Sequence, residues 1–369
     1  MSSDVRARAV APPPEGDAAA DPALRPWLSA LRALVPMPER HRELRVGRDE
    51  ARALLGCRDE LLDQLAAAGL AHSGSGVELR FDYHDLANTA LYSGATTSVP
   101  LAGQRMMLRF AAGNPETWTP PRHWTLDWRL RCRDPRCPGG TWRIALPTPE
   151  VFGGRLDALE LVAPPGETPQ GEAPQGEQSA VREDGALVVE HAASVRLTGR
   201  VTTSGWRAPL LSAAARRHFD ALVGELRDGP YRFQWMHPRL RTDPAETRRL
   251  GIMDCTVCSL ELRRRAEADG LTARTRRGRY LGVLDAEHAW CEVLDEDGVF
   301  KPVDPVFAVL SERHRPPHEE FSDFCAGSVP SRFLPWSVPA GEPLAVHDCP
   351  VSDGTWDNTF SGTTAKGNA

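Results

Sequence analysis

The stretch that decides the fold is GIMDCTVCSLELRRRAEADGLTARTRRGRYLGVLDAEHAWCEVLDEDGVFKPVDPV, residues 251–306. Its first cysteine, Cys255, lies just before the apolar run that begins at Leu260, so we predict that Cys255 occupies the first turn of a helix ending near Asp269. The positive end of a helix favours the thiolate form of a cysteine. Cys255 is therefore a candidate nucleophile.

The second half of this stretch predicts a β-hairpin. Residues 288–293 are strand-like, the polar residues 295–298 provide a turn, and residues 299–303 form the return strand, which Asp304 ends. A histidine and an aspartate on neighbouring antiparallel strands can meet as a cross-strand pair. Such a pair fixes the imidazole tautomer and orients the ring toward a nucleophile. We therefore expect His288 and Asp304 to act together.

These elements resemble the core of the transglutaminase-like superfamily over about residues 211–310. The order and spacing of four elements agree with that family: Cys255, Gly270–Arg274, His288–Trp290 and Val303–Pro305. The resemblance implies a papain-like α+β fold in which Cys255 is the nucleophile, His288 is the general base and acid, and Asp304 orients His288. It also implies a structural role for Arg274.

The resemblance further implies where a developing oxyanion would be stabilised. The backbone N–H of the nucleophile is one donor, and the candidates for a second, upstream donor are Gln234 and Trp235. Three positions depart from the family pattern: Asp254 stands where small residues are common, Phe300 replaces a tryptophan, and Val306 replaces a frequent threonine. These departures leave the triad intact and the subfamily open.

Composition and periodicity divide the chain into five segments. Apolar and polar residues alternate over 124–131, which is typical of a half-buried strand, whereas residues 211–226 show helical spacing. We predict a flexible tail at 1–24, a helical module at 25–95, a small antiparallel β domain at 96–208 with a disordered-like loop at 164–180, the transglutaminase-like core at 209–350, and a frayed tail at 351–369.

The helical module carries a weaker resemblance, at residues 46–86, to the helix-turn-helix of small DNA-binding domains of the excisionase kind. A helix that reads DNA presents Arg, Lys, Asn or Gln to bases and phosphates. Residues 58–63, RDELLD, are net acidic instead. We therefore predict that this module packs within the protein or docks a partner, and that it does not bind nucleic acid.

The overall composition is that of a folded protein without a membrane segment. The 369 residues are 41% hydrophobic and carry a net charge of -6, which argues against disorder and against a chain-wide nucleic-acid or anionic-membrane surface. No run approaches the roughly 18 apolar residues of a transmembrane helix, and the first residues lack an export-signal pattern. We expect a cytoplasmic protein.

The eight cysteines leave two further interpretations open. Cys255 and Cys258 form a C-x-x-C pair, which is the form of a redox pair. Together with Cys132 and Cys137 they would also provide four thiols for a zinc ion. The loose spacing of Cys132 and Cys137, with turn-forming residues between them, favours a plain turn. We predict neither a metal ion nor a cofactor.

The sequence as a whole predicts cysteine-dependent acyl transfer. We expect amide-bond formation or transamidation between a small or carrier-protein-bound acyl group and an amine acceptor, in a bacterial biosynthetic pathway. A peptidase or amidase on the same triad would differ in using water as the acceptor. A non-catalytic binding protein that uses the helical module is the alternative from another class.

Overall fold

The chain forms two units, each assembled from two separate stretches of sequence. A computed structural model describes residues 22–162, 180–282, 286–313, 315–352 and 354–364. The first unit combines the described residues up to Leu108 with Asp220–Cys258, and the second combines Arg109–Phe219 with the described residues from Ser259 onward. Most of the tail predicted at 1–24 and of the loop predicted at 164–180 lies outside the described residues.

The first unit is mainly helical. Its helices are Arg25–Ala33, Arg48–Leu55, Asp59–Ala67, Tyr83–Ser93, Val99–Leu108, Pro238–Arg241 and Pro244–Leu250, with short 3-10 turns at Glu39–His41 and Gly76–Glu78. Three short strands form one antiparallel sheet in the order Leu44–Gly47, Arg80–Asp82, His72–Ser73, and Arg232–Phe233 pairs in parallel with Ile252–Met253. Two further helices, Ala213–Arg227 and Cys255–Ala268, cross the division between the units.

The second unit is mainly an antiparallel β structure of three four-stranded sheets. One sheet has the order Trp356–Thr364, Arg122–Cys132, Ser194–Thr203, Arg155–Val162, and another has the order Ala345–Asp348, Gly140–Ala145, Ala186–Ala192, Ala180–Glu183. The third has the order Phe300–Val303, Glu287–Leu294, Ala273–Tyr280, Phe333–Pro335. The helices Pro305–Glu312 and Phe321–Phe324 and the 3-10 turns Arg109–Ala112, Pro115–Thr117 and Pro149–Phe152 complete the unit. The predicted α+β class, with antiparallel sheets, is confirmed.

The core of the second unit lies between its first two sheets. The alternation that predicted a strand at 124–131 buries Trp124, Leu126, Trp128 and Leu130 in one cluster with Trp142 and Ile144 of the other sheet. Because successive side chains of a strand point to opposite faces, one face of each sheet is apolar and the other is polar. The two apolar faces therefore bury each other.

Among the described residues, no helix has the length and apolar character needed to cross a bilayer.

The structure differs from the predicted segments in three places. Residues Trp356–Thr364, which we expected to fray, form a strand that pairs with Trp124–Cys132 and buries Phe360. Residues Val99–Leu108, which we assigned to the β domain, form a helix of the first unit. The predicted core at 209–350 is divided between the units. For Trp356–Thr364, pairing with a strand more than 200 residues earlier in the sequence decides the outcome.

The first unit contains one carboxylate whose burial makes stability depend on pH. Asp85 is 7% exposed, accepts a hydrogen bond from the backbone N–H of Met37 at 2.7 Å, and lies 3.8 Å from the Arg42 guanidinium. Burial raises the pKa of the Asp85 carboxyl to about 6. Because this value exceeds the unfolded one of about 3.9, the native state binds more protons between about pH 4 and 6, and the free energy of unfolding falls as pH rises through that window.

We predict that Asp85→Asn removes this pH dependence, because the amide keeps an acceptor for Met37 and has no charge to bury. Between pH 4 and 7 the wild type should lose about 2 kcal/mol of unfolding free energy relative to the variant. Urea unfolding at both pH values measures the difference. Asp49→Asn, at an exposed position, is the control, and parallel pH profiles for wild type and Asp85→Asn would refute the prediction.

Candidate active site

A buried histidine–aspartate pair lies at the end of the predicted hairpin. His288 Nε2 and Asp304 Oδ2 are 2.5 Å apart, and the two side chains are 6% and 7% exposed. His288 lies near the start of the strand Glu287–Leu294, which pairs with the return strand Phe300–Val303, and Asp304 follows that strand. The hairpin thus brings together two groups that are 16 residues apart in the sequence.

Asp304 is held in place by its second role as a helix cap. Its Oδ1 accepts a hydrogen bond from the backbone N–H of Phe307 at 2.9 Å, which makes Asp304 the N-cap of the helix Pro305–Glu312. Its own backbone N–H donates to the carbonyl of Cys325 at 3.0 Å. An N-cap aspartate satisfies an N–H that the helix cannot bond by itself. One carboxylate therefore fixes both the helix start and the imidazole.

Aromatic side chains surround the imidazole of His288. Trp290 stacks at 6.1 Å with an interplanar angle of 27°, and the rings of Phe307 and Phe333 lie at 5.4 and 5.2 Å. Such walls exclude water and restrict rotation of the ring. The hydrogen bond between His288 and Asp304 is therefore made in an apolar setting, where it is stronger than in water.

The strand that carries His288 is anchored by a buried ion-pair network. Glu292, 1% exposed, accepts from Arg276 Nε at 2.5 Å, from Arg274 Nε at 2.7 Å and from Trp290 Nε1 at 3.2 Å. Arg274 also lies over the ring of Phe300 at 3.9 Å. Arg274 thus has the structural contacts expected of it, and Phe300 provides the aromatic surface on which it rests.

In the first unit, Cys255 begins the helix Cys255–Ala268, as its position before the apolar run predicted. The residue before it is the cap of this helix. Asp254, 1% exposed, accepts from the backbone N–H of Val257 at 2.9 Å and forms an ion pair with Arg241 Nε at 2.6 Å. The unusual Asp254 is therefore explained: it is a capping residue whose charge is balanced by an arginine.

The two residues predicted as further oxyanion donors have different surroundings. The side-chain amide of the buried Gln234 forms two hydrogen bonds with the backbone of Val35, at 3.0 and 2.9 Å. This use as a structural clamp argues against Gln234 as a donor to substrate. Trp235 is only half-buried, and its backbone forms two hydrogen bonds with the side chain of Asn88. Of the two, Trp235 retains an indole that is partly accessible.

Three of the other thiols are less exposed than Cys255. Cys255 is half-buried, whereas Cys258, Cys291 and Cys325 are buried. Burial raises the pKa of Cys291 and of Cys325 well above the ordinary thiol value. No disulfide joins any of the eight cysteines, all of which lie within the described residues. Neither Cys291 nor Cys325 therefore has the thiolate character that a nucleophile needs.

The remaining cysteine pair has partners that the sequence analysis missed. Cys132 and Cys137 lie together with His347 and Cys349, and the ligand-type atoms of all four are within 4.8 Å of one another. The combination of Cys132 and Cys137 with Cys255 and Cys258 is thus not the one that the structure forms. The signal in the sequence was His347-x-Cys349, in which one ligand-type residue lies in the strand Ala345–Asp348 and the other directly follows it.

Comparison with known proteins adds little. No protein-family model and no curated protein matches the chain. Among solved structures it is similar to one from Cytophaga hutchinsonii, described as a candidate cysteine protease, at 14% identity and a TM-score of 0.35, covering 67% of this chain and 91% of that chain. A similarity of this size assigns neither a fold nor an activity. The transglutaminase-like relationship stays a prediction from the sequence.

We predict that Glu292→Gln destabilises the second unit by about 3–5 kcal/mol, because it leaves the buried Arg276 without an anionic partner. Urea unfolding measures the loss. Glu296→Gln, an exposed change in the turn of the same hairpin, should be neutral within about 0.5 kcal/mol. Equal effects of the two substitutions would show that the Glu292 network does not anchor the strand.

Proposed function

We propose that this protein is a cysteine-dependent acyl-transfer enzyme with Cys255 as the nucleophile, His288 as the general base and acid, and Asp304 as the residue that orients His288. The observation that carries the proposal is the buried pair of His288 and Asp304, in which a 2.5 Å hydrogen bond is held by a strand on one side and a helix cap on the other. Buried, fully positioned histidine–carboxylate pairs are typical of sites that move protons.

Asp304 sets the role of each nitrogen of the imidazole. In the proposed mechanism the carboxylate of Asp304 accepts the hydrogen bond, so Nε2 of His288 carries the hydrogen that the two groups share. In the neutral ring, Nδ1 then holds the lone pair. Nδ1 is therefore the atom that takes a proton from the nucleophile and later returns it.

The start of the helix Cys255–Ala268 supplies the nucleophile with an oxyanion donor. The side chain of Asp254 accepts a hydrogen bond from the backbone N–H of Val257, and the backbone carbonyl of Asp254 accepts one from the N–H of Cys258. The N–H of Cys255 comes before both and is among the donors that a helix cannot satisfy internally. In the proposed mechanism this N–H donates to the oxygen on which negative charge develops.

The reaction proceeds in two halves. His288 takes the proton of Cys255, the thiolate forms a bond to the acyl carbon, and the bond to the leaving amine or thiol breaks as His288 protonates it. An acceptor then gives its proton to His288 and attacks the thioester. Cys255 leaves and regains the proton.

Within this class we favour an amine as the acceptor, which makes the product an amide. The acyl donor would be a small or carrier-protein-bound acyl group. The support for this finer proposal is the sequence resemblance described above. A peptidase or amidase would run the same two halves with water.

We predict that Cys255 is alkylated by iodoacetamide faster than the other cysteines near pH 6, and that His288→Ala abolishes this advantage, because the imidazole no longer accepts the thiol proton. Peptide mass mapping across pH 5–9 measures the rate at each cysteine. Cys57 is the internal control, since it is also half-buried and burial raises its pKa to about 11. An alkylation rate at Cys255 that is indifferent to His288 would leave the proposed pair without support.

We predict that Asp304→Asn lowers kcat/KM by about 10²–10⁴-fold on an activated thioester while the fold is retained. The amide keeps an oxygen to cap Phe307, so the loss reports on the orientation of His288 rather than on the helix. Cys255→Ala sets the background rate, and Asp323→Asn, an exposed change, is the matched control.

The same assay distinguishes synthesis from hydrolysis. Amide product in the presence of a panel of amines supports the favoured acceptor, whereas free acid at an unchanged rate identifies a hydrolase. Turnover that survives Cys255→Ala contradicts cysteine catalysis. Absence of both turnover and selective alkylation favours a binding protein.

A further inference from the structure

Four side chains with metal-binding chemistry converge in the second unit, outside the proposed active site. They are Cys132, Cys137, His347 and Cys349, of which all but the half-buried Cys137 are buried. Cys132 ends the strand Arg122–Cys132, Cys137 lies in the following turn, and His347 and Cys349 lie in and just after the strand Ala345–Asp348. Three thiols and one imidazole are a ligand set that structural zinc sites use.

The distances between the ligand atoms fit a tetrahedral metal ion. Cys132 Sγ and Cys349 Sγ are 3.7 Å apart, and Cys137 Sγ lies 3.4 Å from His347 Nε2. With Zn–S bonds of about 2.3 Å and Zn–N bonds of about 2.05 Å, the edges of a tetrahedron are about 3.8 Å between sulfurs and about 3.6 Å between sulfur and nitrogen. A disulfide would need sulfurs at about 2.05 Å. These two distances match edges of such a tetrahedron, and the remaining pairs of ligand atoms lie within 4.8 Å.

The backbone around the cluster is shaped for close approach. A Cβ on Gly140 would lie 2.1 Å from the carbonyl oxygen of Asp348 and 2.8 Å from Cε1 of His347. Only glycine therefore allows the strand Gly140–Ala145 to come this near to the strand that carries His347. Gly139, with φ +113°, precedes it in a conformation that side chains disfavour.

A neighbouring ring also orients one of the ligands. Trp142 stacks on the ring of His347 at 4.2 Å and 14°, which restrains the imidazole with Nε2 toward Cys137. A restraint of this kind sets the direction of a ligand before the ion binds.

We infer that Cys132, Cys137, His347 and Cys349 bind one Zn²⁺ ion in a closed, structural site. Four protein ligands complete a tetrahedral shell, so no position is open for water or substrate, which is the hallmark of a structural rather than a catalytic zinc. The ion links the sheet containing Arg122–Cys132 to the sheet containing Ala345–Asp348, and it fastens together chain segments 217 residues apart.

This site is independent of the proposed acyl-transfer chemistry, because none of its ligands belongs to the triad. It also differs from the four-thiol combination that the sequence suggested, which included Cys255 and Cys258. Substitutions in the two sets of cysteines therefore have separable consequences for metal content.

The test is the metal content of the full chain, purified without chelators and analysed by plasma mass spectrometry. We expect one equivalent of zinc in the wild type and in the control variants Cys57→Ser and Cys258→Ser, and less than one tenth of an equivalent in Cys137→Ser. Cys137 is the most accessible ligand, so its replacement disturbs the core least. Reconstitution with Co²⁺ should give the thiolate-to-cobalt charge-transfer band and the d–d spectrum of a tetrahedral site.

A strong chelator provides a second readout on the unaltered wild type. Removing the ion should lower Tm by about 5–10 °C and leave the Tm of Cys137→Ser unchanged. The inference would be overturned if the wild-type protein contained no zinc. It would also be overturned if the mass of the protein were lower by two hydrogens because Cys132 and Cys349 form a disulfide. Zinc that persists in Cys137→Ser and disappears in Cys258→Ser would likewise overturn it.

Discussion

A carboxylate that leaves water must have its oxygens satisfied by donors, and the second unit uses this constraint to build its site. The carboxylate of Asp304 accepts hydrogen bonds from the backbone N–H of Phe307 and from the imidazole of His288. The carboxylate of Glu292 accepts from the side chains of Arg276, Arg274 and Trp290. The carboxylate of Asp295 accepts hydrogen bonds from the backbone N–H groups of Leu211 and Ser212 and forms an ion pair with the ammonium of Lys301. Each of these acids lies in or beside the same hairpin. Because an unpaired buried charge is costly, the hairpin has one low-energy arrangement, and the position of His288 follows from it.

The parts of the structure that could be predicted from the sequence are those decided by nearby residues. The hairpin pairs Cys291 with Val303, so Asp304, directly after the return strand, lies diagonally across from His288, and the predicted hairpin was enough to bring the two side chains near each other. The position of Cys255 at the start of its helix could likewise be predicted from the residues that follow it. The strand Trp356–Thr364 was missed because its composition is polar and only its partner strand makes it regular. The surroundings of Gln234 could not be predicted for a related reason, since nothing near it in the sequence reveals its bonds to Val35.

The cysteine–histidine cluster shows this limit most clearly. Cys132 and Cys137 are close in sequence, but their partners arrive through the pairing of Ala345–Asp348 with Gly140–Ala145. Spacing rules for zinc sites suggest a second C-x-x-C pair, and Cys255 with Cys258 satisfied the rule by chance. Cys255 has a different place in the structure, at the start of the helix Cys255–Ala268. A short His-x-Cys motif at the end of a strand becomes informative only when the neighbour of that strand is known.

The pairing of Trp356–Thr364 with Arg122–Cys132 has a consequence for synthesis on the ribosome. The tryptophan-rich strand emerges more than 200 residues before the strand that completes its sheet. At about 5–20 residues per second, the nascent chain waits roughly 10–45 s with an open, apolar strand edge. Edges of this kind recruit other chains. The sheet that contains Arg122–Cys132 therefore reaches its full width only after Trp356–Thr364 has been synthesised.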